Sequence, residues 1–570
     1  MRVISSGLLT LCILISTLAV AKAAESEPAL AAHLAPFNYS SLVPKETLAA
    51  THLLQGKVSL STTMDRAKMA LAGQEKLMAD PRRLIPTMVF DVVQNEENEI
   101  IPQQRSLSLS TNPYWDYLVG VGKIWQTASN TQQHRIALPF ALIEKNENCT
   151  HNGILLFSLD EQNQASDFYY QISSETCAYF KADLWGKGDV SFVSQAIPDA
   201  DELVSQYQQE KARRLATRPI TELSKLAGDI MIDSLALKSF IEPQDMTFYG
   251  VVYQDIHYVS ECTTRAGDYP FCEQLVMPSY SSAKSIFAGL SMFYLEQLYG
   301  DVFEQGVSQW VPQCSGQQWQ NVNFSDLLNM ATGNYVSADY AVDEDAKSAL
   351  TFFTAKEHTQ RLKFACDFYP HKSAPGSKFV YHSSDTYLLG TALNNYLSAK
   401  LGKTADVFND IVLAKIFKPL QLSPVTYVSR RTQDSVQQAY AGYGLFFTRD
   451  DLMRISRFIH QQANSPTSVL AQTQLQAALQ YTPAARGLAT DYSHIRYQHS
   501  FWARNINKLL SCESDSWLPF MSGFGGITVA LLPHNSSYYY VSDSHQYNWA
   551  AAIPELNKLH SLCTAQSPVN

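Results

Sequence analysis

Charge is scarce in this chain. Charged side chains make up 17% of its 570 residues, and the balance is −10 at neutral pH with histidine uncharged. A protein that grips nucleic acid needs a stripe of lysine and arginine to neutralise phosphates, so the missing basic excess excludes nucleic acid as a partner. The acidity instead serves solubility. Long apolar runs are missing beyond residue 20, so no later segment is suited to crossing a bilayer. Cysteine and histidine never fall at a metal-site spacing, and no metal is expected. Internal repeats and low-complexity blocks are absent too, which excludes solenoid architectures.

The one apolar run that is present, Val3 to Val20 behind Arg2 and ahead of Ala21-Lys22-Ala23, reads as a secretory signal cleaved after residue 23. The expectation is a periplasmic or secreted protein with no membrane span left once the signal is removed. Of the nine cysteines, Cys12 lies inside that run. The other eight form an even set in an oxidising compartment, which favours disulfides over scattered thiols. Pairing neighbours in sequence closes loops within single structural units: Cys149 with Cys177, Cys262 with Cys272, Cys314 with Cys366, and Cys512 with Cys563.

The remaining length is too great for one ordinary core, and the texture changes along it. Between about Pro86 and Ile197 short apolar runs alternate with polar turns, predicting a β-rich unit. The segment Thr47 to Ala79, rich in alanine, leucine and lysine, predicts a helix ahead of it. Asp199 to Thr217 predicts a polar linking helix, and from Ile220 helices dominate with a few strands. Thr247–Tyr253 and His257–Ser260 read as paired strands, Gly526–Leu532 and Tyr538–Val541 as a hairpin, and Trp549–Leu562 as a final helix. The division expected is a signal (1–23), a β-rich accessory domain (24–200), a linker helix (201–219) and a second domain (220–570).

Chemistry concentrates in the second domain. The pattern S-x-x-K occurs once, as Ser281-Ser282-Ala283-Lys284, where a polar segment becomes an apolar helix. Positions i and i+3 share a helix face, so the lysine amine reaches back to the serine hydroxyl as a base to its nucleophile. A backbone N–H at the start of the helix can hold an oxyanion. Tyr381, in Phe379-Val380-Tyr381-His382-Ser383-Ser384-Asp385, lies just before a second apolar helix, where a phenol can relay a proton. Asp385 also reads as a plain helix cap. Ser522-Gly523-Phe524 opens a glycine-rich strand entry that lets backbone approach a substrate and supply a second oxyanion donor.

With these residues, four further segments complete an order that resembles the serine β-lactamase and penicillin-binding protein superfamily, in particular its class C-like and 6-aminohexanoate-dimer-hydrolase-like members, across residues 220 to 565. The segments are Val322–Gly333, Pro375–Gly390, Ile416–Leu422 and Gly442–Leu452. The resemblance implies an α/β fold: a β-lactamase-like domain with an antiparallel sheet flanked by helices plus a helical lobe. It implies an acyl-enzyme on Ser281 with Lys284 as base, Tyr381 as proton relay, oxyanion and substrate contacts from Ser522, Gly523 and Phe524, support from Ser383 and Asp385, and no cofactor. Two departures from the family pattern stand out. Met521-Ser522-Gly523 replaces a segment that carries a cation for a substrate carboxylate, and Ser383 stands where many members have asparagine. Both point to an esterase or amidase acting on a small-molecule or peptide-like substrate. Arg486 and Arg496 are the candidates by sequence order for a substitute cation. The alternatives are a D-alanyl peptidase or β-lactamase, and a non-catalytic binding protein on a hydrolase scaffold.

Overall fold

A computed structural model describes residues 36–43, 53–127, 130–145, 148–226, 231–481 and 486–563. The expected signal segment lies outside the described residues.

The first part of the chain builds a closed antiparallel barrel. Its strands are β1 (Gln55–Ser61), β2 (Ala67–Leu71), β3 (Met88–Gln94), β4 (Glu99–Pro102), β5 (Trp115–Val119), β6 (Gly122–Thr127), β7 (Asn130–Glu144), β8 (Thr150–Asp160), β9 (Phe168–Thr176) and β10 (Ala182–Ser194). Neighbours pair in the order β1-β3-β4-β6-β7-β8-β9-β10, and β10 pairs back onto β1, so the ring leaves no open edge; β2 adds to β10 and β5 to β7. An eight-stranded ring is just wide enough for side chains to fill, and Val58, Leu60, Val92, Ile136, Leu138, Phe157 and Ile172 are buried. Residues 53–79 hold β1 and β2 where composition predicted a helix. β1 alternates between exposed and buried positions and pairs on both sides, with β3 and with β10. Pairing and burial override helix propensity there.

The helix Ala200–Ala212 follows, five residues short of the end that the polar run suggested, because Ala216–Pro219 (β11) leaves it to join a second sheet. That sheet also takes β12 (Met246–Tyr253) and β13 (Ile256–Val259). Two short ladders follow: β14 (Thr263–Thr264) with β15 (Gly267–Asp268), and β16 (Met277–Pro278) with β17 (Phe446–Phe447). The last strands are β18 (Leu488–Ala489), β19 (Ile495–Gln498), β20 (Phe501–Asn505), β21 (Trp517–Gly523), β22 (Ile527–Leu532) and β23 (Ser536–Ser542). The order is β11-β13-β12-β23-β22-β21-β20-β19-β18, antiparallel except for β11 against β13. Both hairpins read from the sequence are present, and their turns use the left-handed residues Gln254, Asp255, His534 and Asn535. The end of the chain carries only short helical turns at Trp549–Ala552 and Ile553–Leu556, since Pro554 fits only near a helix start.

The helices between β16 and β18 form the remaining lobe. Lys284–Gly289 continues the turn at Ser281 as a π-helical stretch into the helix Leu290–Tyr299, and Ser383–Leu401 runs beside it. Barrel and lobe share one apolar core that includes Leu138, Phe157, Phe287 and Leu388. Polar contacts join them as well: the Asn152 side chain donates to the Val276 carbonyl (2.8 Å) and accepts from the Val276 N–H (2.9 Å), just before β16. Four disulfides link the cysteine pairs read from sequence order, with Cα separations of 4.9, 5.6, 4.8 and 5.2 Å. Among the described residues, no helix is long and apolar enough to cross a membrane.

Candidate active site

Ser281 is presented by a tight turn. Tyr280 has φ 40°, in the left-handed region that a bulky residue rarely adopts, so the surrounding structure must hold it there. The turn then closes on itself, with Ala283 N–H donating to the Tyr280 carbonyl (3.1 Å) and Lys284 N–H to the Ser281 carbonyl (3.0 Å). One helical turn on, the Lys284 amine is 2% exposed and lies 2.9 Å from Ser281 Oγ, 2.8 Å from Ser383 Oγ and 3.4 Å from the Gly442 carbonyl. The spacing that the S-x-x-K pattern implied is therefore met.

The hydrogen bonds around Lys284 can be counted. A protonated amine has three N–H donors, and the three oxygens accept them. A neutral amine has two N–H donors and one lone pair. The Gly442 carbonyl can only accept. Ser383 has already committed its own proton: its hydroxyl donates to Glu344 Oε1, while its backbone N–H donates to Glu344 Oε2 (2.9 Å). Ser383 Oγ must then accept from Lys284, and the lone pair is left for the Ser281 hydroxyl. The arrangement directs the free base at one oxygen.

Burial pushes the Lys284 amine down from its ordinary 10.5 to about 8, with the charges of Glu344 and Asp385 opposing that fall. Lysine in this state is partly neutral near pH 7, as a base requires. Tyr381 packs its ring 4.9 Å from the Lys284 amine and stacks on Trp502. Burial raises its phenol well above the ordinary value, Glu344 and Tyr340 add to the rise, and a hydrogen bond with Ser281 opposes it. A phenol so held stays protonated and suits a relay better than a base. Asp385 is buried at the start of the helix Ser383–Leu401, raised to about 7 by burial against the opposing charges of His382 and Lys284. Its Oδ2 has no hydrogen-bond partner among the described residues, so it acts on Lys284 through charge alone.

Ser281, Tyr381, Ser383, Ser522, Gly523 and Phe524 all line one cavity of about 540 Å³. Gly523 ends β21 against the turn that presents Ser281: a Cβ there would meet the Ser279 carbonyl at 2.8 Å and Tyr280 Cβ at 3.3 Å, so only glycine allows the approach. The walls are aromatic, including Tyr340, Tyr443, Trp502 and Tyr547, and Glu344 and Asp345 supply carboxylates. No arginine or lysine is among the described lining residues, and neither Arg486 nor Arg496 reaches the cavity. Arg486 is held instead by Asp515 and the Gln480 carbonyl.

Sequence reasoning missed two participants. Glu344 sits in the run Asp343-Glu344-Asp345, outside every segment singled out in the sequence. Asn148 belongs to the barrel, yet its Oδ1 accepts from Tyr280 N–H (2.8 Å) and Gly444 N–H (3.1 Å) beside the nucleophile. No pattern in the chain joins it to the S-x-x-K segment. Cys149, His151 and Cys177 cluster nearby, but both sulfurs are consumed by the disulfide.

No family model matches the sequence, and no curated protein matches it. Among solved structures, the chain is similar to a protein assigned as a 6-aminohexanoate-dimer hydrolase from Bacillus anthracis (14% identity, TM-score 0.42, covering 56% of this chain and 80% of that one). It is also similar to a penicillin-binding protein homologue from Caulobacter crescentus (15%, 0.41, covering 57% and 95%) and to a class C β-lactamase (16%, 0.39, covering 60% and 95%). These are the kinds of protein that the order of segments resembles.

Proposed function

We propose that the protein is an exported serine hydrolase that cleaves a neutral ester or amide through an acyl-enzyme on Ser281. The observation that carries this reading is the Lys284 amine, buried, shifted toward neutrality and left by its hydrogen bonds with a lone pair for Ser281. Lys284 takes the Ser281 proton as Oγ attacks the carbonyl carbon. The N–H groups of Ser281 and Phe524 hold the oxyanion, consistent with the contact of Gly523 on the nucleophile turn. The Tyr381 hydroxyl donates its proton to the leaving oxygen or nitrogen as the C–O or C–N bond breaks, and regains one from Lys284. Water then attacks the acyl carbon, giving a proton to the Lys284–Tyr381 pair, and that proton returns to Ser281 Oγ as the acid leaves.

Four disulfides support an oxidising compartment. The aromatic cavity, with no arginine or lysine among its described lining residues, supports a neutral acyl group over one bearing a carboxylate. The test is covalent labelling by a fluorophosphonate, with peptide mapping of the adduct. Label on Ser281, lost in Ser281→Ala together with turnover of p-nitrophenyl esters, is the expected result. An unlabelled wild type, or turnover retained in Ser281→Ala, would refute the assignment.

A further inference from the structure

His151 on β8 is fully buried, yet neither of its ring nitrogens has a hydrogen-bond partner among the described residues. An orphaned imidazole inside a protein needs an explanation. The rings of Trp115 and Phe180 pack against it, at 5.1 and 5.7 Å. Side chains alternate along a strand, so His151 and Cys149, two residues apart, point to one side. Thr150 faces Thr176 in the register of β8 on β9, which brings Cys177, one residue further, opposite Cys149, with Cα atoms 4.9 Å apart. One nitrogen of His151 and the two sulfurs consequently lie within 4.8 Å of one another, all three residues buried. Burial, and then the charges of Arg265 and Arg82, push the imidazole down to about 3, so it is neutral and has a lone pair to give.

Two thiolates and a neutral imidazole are a zinc ligand set, with a fourth position left for water. Zinc–sulfur bonds of about 2.3 Å and zinc–nitrogen bonds of about 2.0 Å put such ligand atoms roughly 3.5–3.8 Å apart, a spacing that small side-chain rotations reach from this cluster. While the bridge is closed the sulfurs are bonded to each other, and the imidazole alone is free to bind. We infer that reduction of the Cys149–Cys177 bridge opens a zinc site made of Cys149, His151 and Cys177. A phosphine reductant gives two electrons to the S–S bond, and water supplies the two protons of the resulting thiols and the oxygen of the phosphine oxide. The zinc ion then displaces both protons as two Zn–S bonds form, and His151 adds through its lone pair. The cavity that holds Ser281 is the entry path, since its lining includes Asn148, next to Cys149, and Tyr179, two residues past Cys177. The Tyr280 hydroxyl lies 3.2 Å from Cys149 Sγ, so the ion binds against the turn that presents Ser281. The site does not depend on what Ser281 does.

The test is protection from alkylation, read residue by residue. Full-length protein is reduced with a phosphine, freed of reductant without air, and treated with iodoacetamide at increasing zinc, and peptide maps score each cysteine. Cys149 and Cys177 are expected to be shielded together by zinc and exposed again by EDTA. Scoring by residue keeps the cysteines of the other three bridges out of the result. His151→Gln leaves both sulfurs in place but removes a ligand, so shielding should need about tenfold more zinc or beyond, at least the cost of losing an outer-shell partner. His151→Cys supplies a third thiolate and should be shielded at wild-type zinc, which a purely packing role for His151 would not produce. Alkylation of Cys149 and Cys177 that ignores zinc overturns the inference, and that comparison in the wild type needs no variant to fold. Shielding unchanged in His151→Gln also overturns it, because the ion would then be held by loose thiols and not by the buried cluster.

Discussion

Replacing Glu344 by glutamine tests the hydrogen-bond count around Lys284 most directly, because the change is nearly isosteric and its consequence is forced. The Ser383 backbone N–H needs an acceptor, so the substituted amide turns its oxygen there and its NH₂ toward Ser383 Oγ. Ser383 then accepts from that NH₂ and turns its own proton onto Lys284, taking the lone pair that Ser281 needs. General-base contributions run to about 10²–10⁴-fold, so a misdirected base should cost roughly 10- to 100-fold of the high-pH kcat/KM. A second effect has the opposite sign. The Glu344 charge holds the Lys284 amine up against burial, so its removal moves the ionisation below about 8. With an ionisation near 8, about a tenth of the amine is neutral at pH 7, and the variant can regain at most about tenfold there. The deficit should therefore be small near pH 7 and large at pH 9, with the acid limb of kcat/KM displaced downward. Asp385, raised to about 7, titrates in the same window, and His382 lies between it and Asp343, so the wild-type limb is broad, and Asp385→Asn should sharpen it. No falling limb is expected below about pH 10, because the Tyr381 phenol lies well above its ordinary value. A profile of Glu344→Gln with its limb in the wild-type place and its plateau within threefold would refute the reasoning.

Three further outcomes are expected. Lys284→Arg keeps the charge but cannot lose its proton, so ester turnover should fall by about 10³-fold or more with the circular dichroism of the fold retained, and near-normal rates would show that Lys284 is not the base. Neutral esters should exceed carboxylate-bearing penicillins and D-alanyl peptides in kcat/KM, since the lining contains Glu344 and Asp345 and no described arginine or lysine; the reverse order would require a cation elsewhere. Non-reducing peptide maps should show four bridges, and loss of the 52-residue Cys314–Cys366 loop should cost about 4 kcal/mol against about 3 for the 10-residue Cys262–Cys272 loop, measured by urea unfolding of paired Cys→Ser variants.

The Ser281–Lys284 pair was legible because its geometry is local. A three-residue spacing on a helix fixes the reach of Lys284 to Ser281 whatever the rest of the fold does, and neighbour pairing of cysteines depends only on loops within single units. Both hairpins were legible for the same reason, through turn residues flanked by β-branched and aromatic runs. The barrel strands β1 and β2 were not, since alanine, leucine and lysine are neutral witnesses until pairing partners are known. Pairing with β10, more than a hundred residues away, decides their state. Glu344 and Asn148 were illegible on the same ground. Each matters through contacts far along the chain, Glu344 with Ser383 39 residues on and Asn148 with Tyr280 132 residues on, and such contacts leave no periodic trace. Ser383 was visible in the sequence, but its hydrogen bonds to Glu344 were not.

The same long-range contacts make the barrel and the half that carries Ser281 depend on each other, and one ion pair measures how much. Asp116 on β5 accepts from Arg430 (2.8 Å), and both side chains are under 10% exposed. Arg430 braces the turn that feeds the site: its backbone N–H donates to the Gly444 carbonyl (2.8 Å), and its carbonyl accepts from Tyr440 (3.0 Å). Within that turn, the Gly442 carbonyl takes a Lys284 N–H and the Gly444 N–H goes to Asn148. Asp116→Ala strands a guanidinium whose Nε and Nη2 have no partner among the described residues, so it should cost about 3–5 kcal/mol in urea unfolding. Activity should fall further than the folded fraction does, because the Gly442–Gly444 turn loses its brace while the chain is still folded. Replacing both partners by apolar residues, Asp116→Leu with Arg430→Met, removes the stranded charge and should recover more than half of the lost stability. A cost under about 1 kcal/mol in Asp116→Ala, with turnover per folded molecule unchanged, would mean that the barrel sits against the catalytic half without holding it.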